Sequence, residues 1–262
     1  MAAHCLRQTK TGQITIMRSH FRMALCCLLV GNITQAWAEG LTLGAQGEAN
    51  FTPYRQYKTQ FSGLPYVGYD NNHVYIDGTE VGAYLIKDDT TQLKARWWYL
   101  DNEFDPGQSS DPALRQLDIR HSTMMGGISY QKITPVGAFR TELSADTLNE
   151  SRGLLGTVAW AGQVSFMQLD VYPQVGVDWM NKQQASYYYG VNAQESERSG
   201  LPSWRHQGIT PWLALAFDWH PVTPLHIYLQ PKVTFLTGAL RDSPMTDQQY
   251  YWTLSSGVTW TF

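Results

Sequence analysis

The pair with the clearest chemical potential is His121-Ser122, because a serine nucleophile needs a histidine base within hydrogen-bond reach. Its spacing argues against that use. Neighbouring side chains on a strand point to opposite faces, so His121 shares a side with Thr123 rather than with Ser122. Glu195, Glu197, Asp242 and Asp247 could offer oxygen ligands to a divalent cation, but they lack the fixed spacing of a calcium loop. A solvated acidic surface is the expected role of these four. His206, His220 and His226 lack metal-ligand spacing, and neither a Gly-rich phosphate loop nor H-E-x-x-H occurs in the sequence. No catalytic residue, metal ligand or cofactor site is therefore assigned.

A further set of charges, Lys94, Arg96, Arg140, Glu142, Asp170, Asp178, Asp218 and Lys232, recurs opposite apolar residues, which raises the question of what elements position them. The apolar period is two in segment after segment. Met167, Leu169, Val171, Pro173, Val175, Val177 and Trp179 fall on one face, with Gln168, Asp170, Gln174 and Asp178 on the other. Leu41 to Phe51, Leu93 to Tyr99, Phe139 to Ala145, Ile209 to Trp219, Leu225 to Phe235 and Tyr250 to Phe262 repeat the pattern, and no segment matches it in strength with a helical period.

A soluble sandwich also separates two faces. Strands of 10–13 residues exceed the usual soluble length of roughly 5–6 and match the roughly 9–11 of a tilted transmembrane strand. Aromatics gather at strand ends (Trp97/Trp98/Tyr99, Trp179, Trp219, Tyr250/Tyr251/Trp252, Trp260), as interfacial girdles require. Short turns near 87–91, 132–135 and 221–224 alternate with long ones at 102–119, 180–207 and 238–249. The expected fold is an all-β, up-and-down antiparallel transmembrane barrel. Reading 73–86 as one strand gives eleven strands, whereas a split at Asp77-Gly78-Thr79-Glu80 gives twelve, the preferred even number, with ten as the alternative. These eight charges then point into the lumen, either as a paired structural network, the favoured reading, or as the lining of a small diffusion pore or transport channel.

Composition agrees: charged residues are 16% and aromatics 13%, with 10 Trp and 15 Tyr, yet mean hydropathy is only −0.32, far below a helical membrane protein. The apolar run Met23–Val30 is too short to span a bilayer as a helix. It follows Arg18 and Arg22 and precedes Ala36-Trp37-Ala38, the layout of a secretory signal peptide. Residues 1–38 are read as that peptide, with Met17 the expected true start, and 39–262 as the barrel. All three cysteines (Cys5, Cys26, Cys27) fall in the removed part. Cleavage also removes four basic residues and no acids, taking the formal charge from −3 to about −7, which argues against a nucleic-acid partner.

The loops carry a resemblance. Tyr187-Tyr188-Tyr189-Gly190-Val191, then Glu195 through Arg198-Ser199-Gly200-Leu201-Pro202, then Asp242-Ser243-Pro244-Met245, resemble the MipA/OmpV family (MltA-interacting protein) of Gram-negative outer-membrane proteins. Leu43-Gly44-Ala45 with Pro53-Tyr54 looks like the family's first strand and loop, and Glu103-Phe104-Asp105-Pro106 with Leu117 through Thr123 resembles its YiaT-like branch. The three tyrosines read alternatively as a strand-end girdle. The resemblance implies a cell outer-membrane barrel in lipid and lipopolysaccharide, without known catalysis. It also implies a scaffold in murein (peptidoglycan) maintenance, linking a lytic murein transglycosylase to a murein synthase.

Overall fold

The computed structural model describes residues 40–262, together with a two-residue antiparallel pairing of Arg7–Gln8 with Ile14–Thr15. The expected signal peptide and its cleavage after Ala38 lie outside the described residues.

Alternating sequence becomes alternating wall. The strands are β1 (Leu41–Phe51), β2 (Gln60–Asp70), β3 (Val74–Asp77), β4 (Glu80–Lys87), β5 (Thr91–Leu100), β6 (Thr123–Thr134) and β7 (Gly137–Asp146). They continue as β8 (Leu154–Ala161), β9 (Val164–Phe166), β10 (Leu169–Met180), β11 (Gly208–Val222), β12 (Leu225–Phe235) and β13 (Tyr250–Thr261). Each pairs antiparallel with its chain neighbour except at β8, β9 and β10, where β10 pairs with both earlier segments. β13 returns to β1 through the run Trp252↔Phe51 to Thr261↔Thr42, which closes the ring. The result is a twelve-stranded barrel, with β9 a short continuation beside β10. The split at Gly78-Thr79 is a hairpin whose first turn residue, Gly78, has φ 57°, the conformation a two-residue hairpin turn demands of glycine.

The apolar faces point outwards. Val158 is 59% exposed, Leu143 55% and Leu213 51%, an arrangement that only a hydrocarbon surround stabilises. Trp97, Tyr99, Trp179, Tyr250 and Trp252 ring one end, and Trp219, Trp260 and Phe262 the other. Trp98 and Tyr251 do not join the girdle: alternation turns them into the lumen, where they line its main chamber. Both described ends of the barrel chain and the turns at 88–90, 135–136 and 223–224 lie at one end; the long connections 101–122, 181–207 and 236–249 lie at the other. Short turns mark the periplasmic end and long loops the outer end.

Because the wall spends its apolar side chains on lipid, the buried apolar core lies in the outer loops. Tyr54, Phe104, Leu114, Tyr188, Leu240 and Met245 belong to one cluster, all at most 3% exposed.

Closure is incomplete at one place. β3 and β4 turn back early, so β2 is paired on that side only at Gly68–Asp70. Residues 61–65 are exposed on both faces of the strand. Among the described residues this stretch of strand edge is bare, because the β3–β4 hairpin stops short of the outer end of β2.

Candidate functional site

The outer loops form a folded cap. Connection 181–207 contains two helices that period analysis did not reveal, α1 (Lys182–Tyr189) and α2 (Ala193–Ser199). Both are short, and tertiary packing rather than an amphipathic stripe holds them. Asn181 caps α1 by accepting from the Gln184 N–H. Asn192 and Glu195 form a reciprocal capping box on α2, and Gly200 ends it in the left-handed region at φ 74°. That Asn-x-x-Glu spacing was the readable signal for α2.

Glu195 is not a solvated acid. It is 0% exposed and sits 2.6 Å from Arg120 Nη2, while accepting from the Asp118 N–H at 2.9 Å and the Asn192 N–H at 2.9 Å. Arg120 also donates from Nε to the Tyr187 carbonyl at 2.6 Å and from Nη2 to the Gly190 carbonyl at 3.3 Å. A buried charge must be paired and hydrogen-bonded, and this pair ties the 101–122 connection to both helices.

The family-motif residues acquire definite contacts here. Tyr188 and Tyr189 are buried in the cap rather than standing at a strand end, which removes the girdle reading. The Tyr188 hydroxyl donates to the His121 carbonyl at 3.1 Å. Gly190 is required because a Cβ there would lie 2.2 Å from the Ser186 carbonyl oxygen. Arg198 pairs with Asp118, Ser199 Oγ donates to the Glu195 carbonyl at 2.6 Å, Leu201 is buried and Pro202 is exposed. Ser243 Oγ donates to the Tyr189 carbonyl at 2.7 Å, Pro244 accepts from Arg55 Nη1 at 3.3 Å, and Asp242 is exposed. Burial raises the hydroxyl pKa of Tyr54, Tyr188 and Tyr189, and burial, then the nearby Asp105 and Glu103 charges, push Tyr57 up to about 12.

Below the cap lies a chamber of about 520 Å³ roofed by Tyr54, Met180, Gln184 and Tyr189. Arg96 bridges Glu80 and Glu142, reaching the latter at 2.5 Å, and Arg140 approaches Glu142 at 3.3 Å. Asp178 accepts from Thr157 Oγ1 at 2.7 Å. The Lys232 ammonium stands 4.6 Å over the Trp212 ring, and Lys94 is 4.7 Å over Tyr75. Towards the periplasm the space narrows to a cavity of about 70 Å³ that shares Arg140 and Gln230 with the chamber above.

The short β3–β4 hairpin leaves a window in the wall. Its sides are β2 and the hairpin tip, and above it Lys58 N–H donates to the Gln108 carbonyl at 3.2 Å and Ser110 N–H to the Gln56 carbonyl at 3.0 Å. Gly78 N–H donates to the Val67 carbonyl at 2.9 Å. By alternation, the backbone groups of Phe61, Gly63 and Pro65 therefore face the window. Pro65 has no N–H to offer, a device that blunts a sheet edge against a further strand.

His121 and Ser122 do not form a catalytic pair: Ser122 Oγ donates to Asp101 at 3.3 Å, and His121 is exposed. At the periplasmic end, in contrast, folding brings Asp218, His220 and His226 together with their ligand atoms within 4.8 Å of one another. The β11–β12 hairpin creates this grouping, so linear spacing did not disclose it. Asp170 lies directly opposite Asp218 in the register.

The family described as MltA-interacting protein MipA matches residues 41–262, which is the barrel and its cap together. The chain belongs to the MipA family. Within it, the MltA-interacting protein of Escherichia coli (strain K12) is 34% identical over 242 residues, covering 92% of this chain and 98% of that protein. The putative outer membrane protein YiaT of Escherichia coli O157:H7 is 30% identical over 233 residues, 88% of this chain and 94% of that one. Among solved structures, the NanC porin is similar at a TM-score of 0.48 and 10% identity, over 84% of this chain and all of that one. An outer membrane channel from Pseudomonas putida F1 is similar at 0.45 and 10%, over 89% of this chain. The chain is an outer-membrane protein, as the family and its barrel require.

Proposed function

We propose that this family member is a non-catalytic, non-conducting scaffold of the cell envelope that holds a murein transglycosylase, and through it a murein synthase, beneath the outer membrane. The observation that carries the reading is the cap. Its buried Arg120–Glu195 pair and apolar cluster roof the chamber, so the barrel invests its outer loops in closure rather than in a mouth. A relative at 34% identity is named for interacting with MltA, which supports a murein-enzyme partner here.

The partner surface belongs at the periplasmic end. There the β9–β10 hairpin exposes Phe166 (62%) and Met167 (93%), and the β6–β7 turn exposes Val136 (70%). Apolar side chains grouped at an end beyond the lipid band suit a protein contact. Detergent-solubilised protein, immobilised through a tag on the outer loops, is expected to retain a purified lytic murein transglycosylase. Replacing Phe166 and Met167 by Asp should abolish retention while leaving heat-modifiable folding intact. Absence of retention by the wild-type chain would refute the scaffold reading.

A second reading, lateral transport between lumen and lipid, is favoured by the window alone. Leu64 points inwards yet is 42% exposed. A lipid-soluble thiol reagent should label Leu64→Cys and leave the fully buried Met125→Cys unlabelled; equal protection of both would remove this reading.

A further inference from the structure

Asp218, His220 and His226 sit at the periplasmic end of the lumen, distinct from both cap and chamber. Asp218 and His220 come from β11 and His226 from β12, on either side of the 223–224 turn. His226 Nδ1 is 3.1 Å from each carboxylate oxygen of Asp218. The His220 and His226 rings are 5.7 Å apart and inclined at 33°. Asp218 and His226 are each 7% exposed.

Two features go beyond a hydrogen-bonded His–Asp pair. First, among the described residues His220 Nδ1 is buried without a hydrogen-bond partner, and so is Oγ1 of Thr259, which stands opposite His226 in the β12–β13 register. A buried polar nitrogen without a partner loses its hydration and gains nothing in return. Second, Asp170 stands opposite Asp218 on the same inward face, and like charges directly opposed across a sheet repel. A cation among these side chains would answer both: it takes the imidazole lone pair and offsets the opposed carboxylates. The strand register shifts between Trp219 and Val222, and such breaks in a ladder re-aim side chains beside a site.

We propose that Asp218, His220 and His226 bind a zinc ion at the periplasmic end of the lumen, with a fourth position left open to the lumen. Two imidazoles and one carboxylate are a zinc donor set, and three protein ligands leave one place for water. The ion joins β11 to β12 at the inner end of the barrel. It is independent of the scaffold reading, since it depends on neither the cap nor a partner.

The test uses the full folded barrel in detergent, stripped with chelator. Zinc titrated by calorimetry should bind as a single tight equivalent, and cobalt(II) in its place should give the visible absorption of a four-coordinate site. His220→Ala and His226→Ala should each weaken zinc binding by roughly tenfold or more, and Asp218→Asn should do the same. His206→Ala, in the outer cap, should leave it unchanged. Variants are admitted only when their heat-modifiable gel shift matches the wild type. A wild-type barrel that takes up no zinc, or zinc binding that survives the His220→Ala/His226→Ala double change, would overturn the assignment and leave a hydrogen-bonded lumen cluster.

Discussion

Replacing Glu195 by Ala should unfasten the cap without unfolding the barrel. The side chain is fully buried, and its loss strands the Arg120 guanidinium, which is 7% exposed, in a site closed to water. It also leaves the N–H groups of Asp118 and Asn192 without their acceptors. Removing one member of a buried ion pair costs about 3–5 kcal/mol, most of it the charge left behind. At about 1.4 kcal/mol per factor of ten, the opened cap becomes roughly two to four orders of magnitude more populated. The ladder hydrogen bonds of the wall are untouched, so the cost stays local. Hydrogen exchange followed by mass spectrometry should show residues 101–122 and 181–207 losing protection by that factor, while peptides from β12 and β13 stay as in the wild type. The apolar replacement of both partners, Arg120→Met with Glu195→Leu, should restore much of the protection, because no charge is then stranded. Unchanged exchange in Glu195→Ala would refute the claim that this pair holds the loops together. Equal loss across the wall would refute the separation of cap from barrel.

Gly190→Ala forces a Cβ to within 2.2 Å of the Ser186 carbonyl; with backbone on both sides, a cost of roughly 1–3 kcal/mol should appear as faster proteolysis of the 181–207 connection. The raised tyrosine pKa values give the cap an alkaline limit. Neutral phenols are favoured in the cap, so that stabilisation is complete below the ordinary value of about 10 and is lost as pH climbs through the Tyr57 value of about 12; tyrosinate absorbance and loop exchange should rise together over that interval, and a tyrosinate titration finished by pH 10 would contradict it. Val158→Arg, on the lipid face in mid-strand, should destabilise the barrel in lipid by about 2–4 kcal/mol in reversible denaturant unfolding, whereas lumen-facing Gln174→Glu should cost far less.

The wall was legible because each strand carries its own statement of register: Val175 and Val177 face lipid and Gln174 and Asp178 face the lumen whatever lies next to them. The extra hairpin was legible only indirectly, as a split at Asp77-Gly78-Thr79-Glu80 preferred because it made the strand count even, and the structure places the turn there. The cap was not legible in the same way. Tyr54, Phe104, Val191, Trp204 and Met245 come from four separate loops, and no local period links residues whose common neighbour is created by folding. Glu195 resembled a surface acid for the same reason, its partner Arg120 lying 75 residues away in sequence. The lumen histidines illustrate the converse: His220 and His226 are close in sequence, but the turn between them, not their spacing, makes them neighbours.

A lumen roofed by its own outer loops should not conduct, and a planar-bilayer recording tests that most directly. Folded, heat-modifiable wild-type protein inserted into the bilayer should add no sustained conductance steps. Regular, reproducible steps from the wild-type chain at neutral pH would contradict the account and return the barrel to the channels.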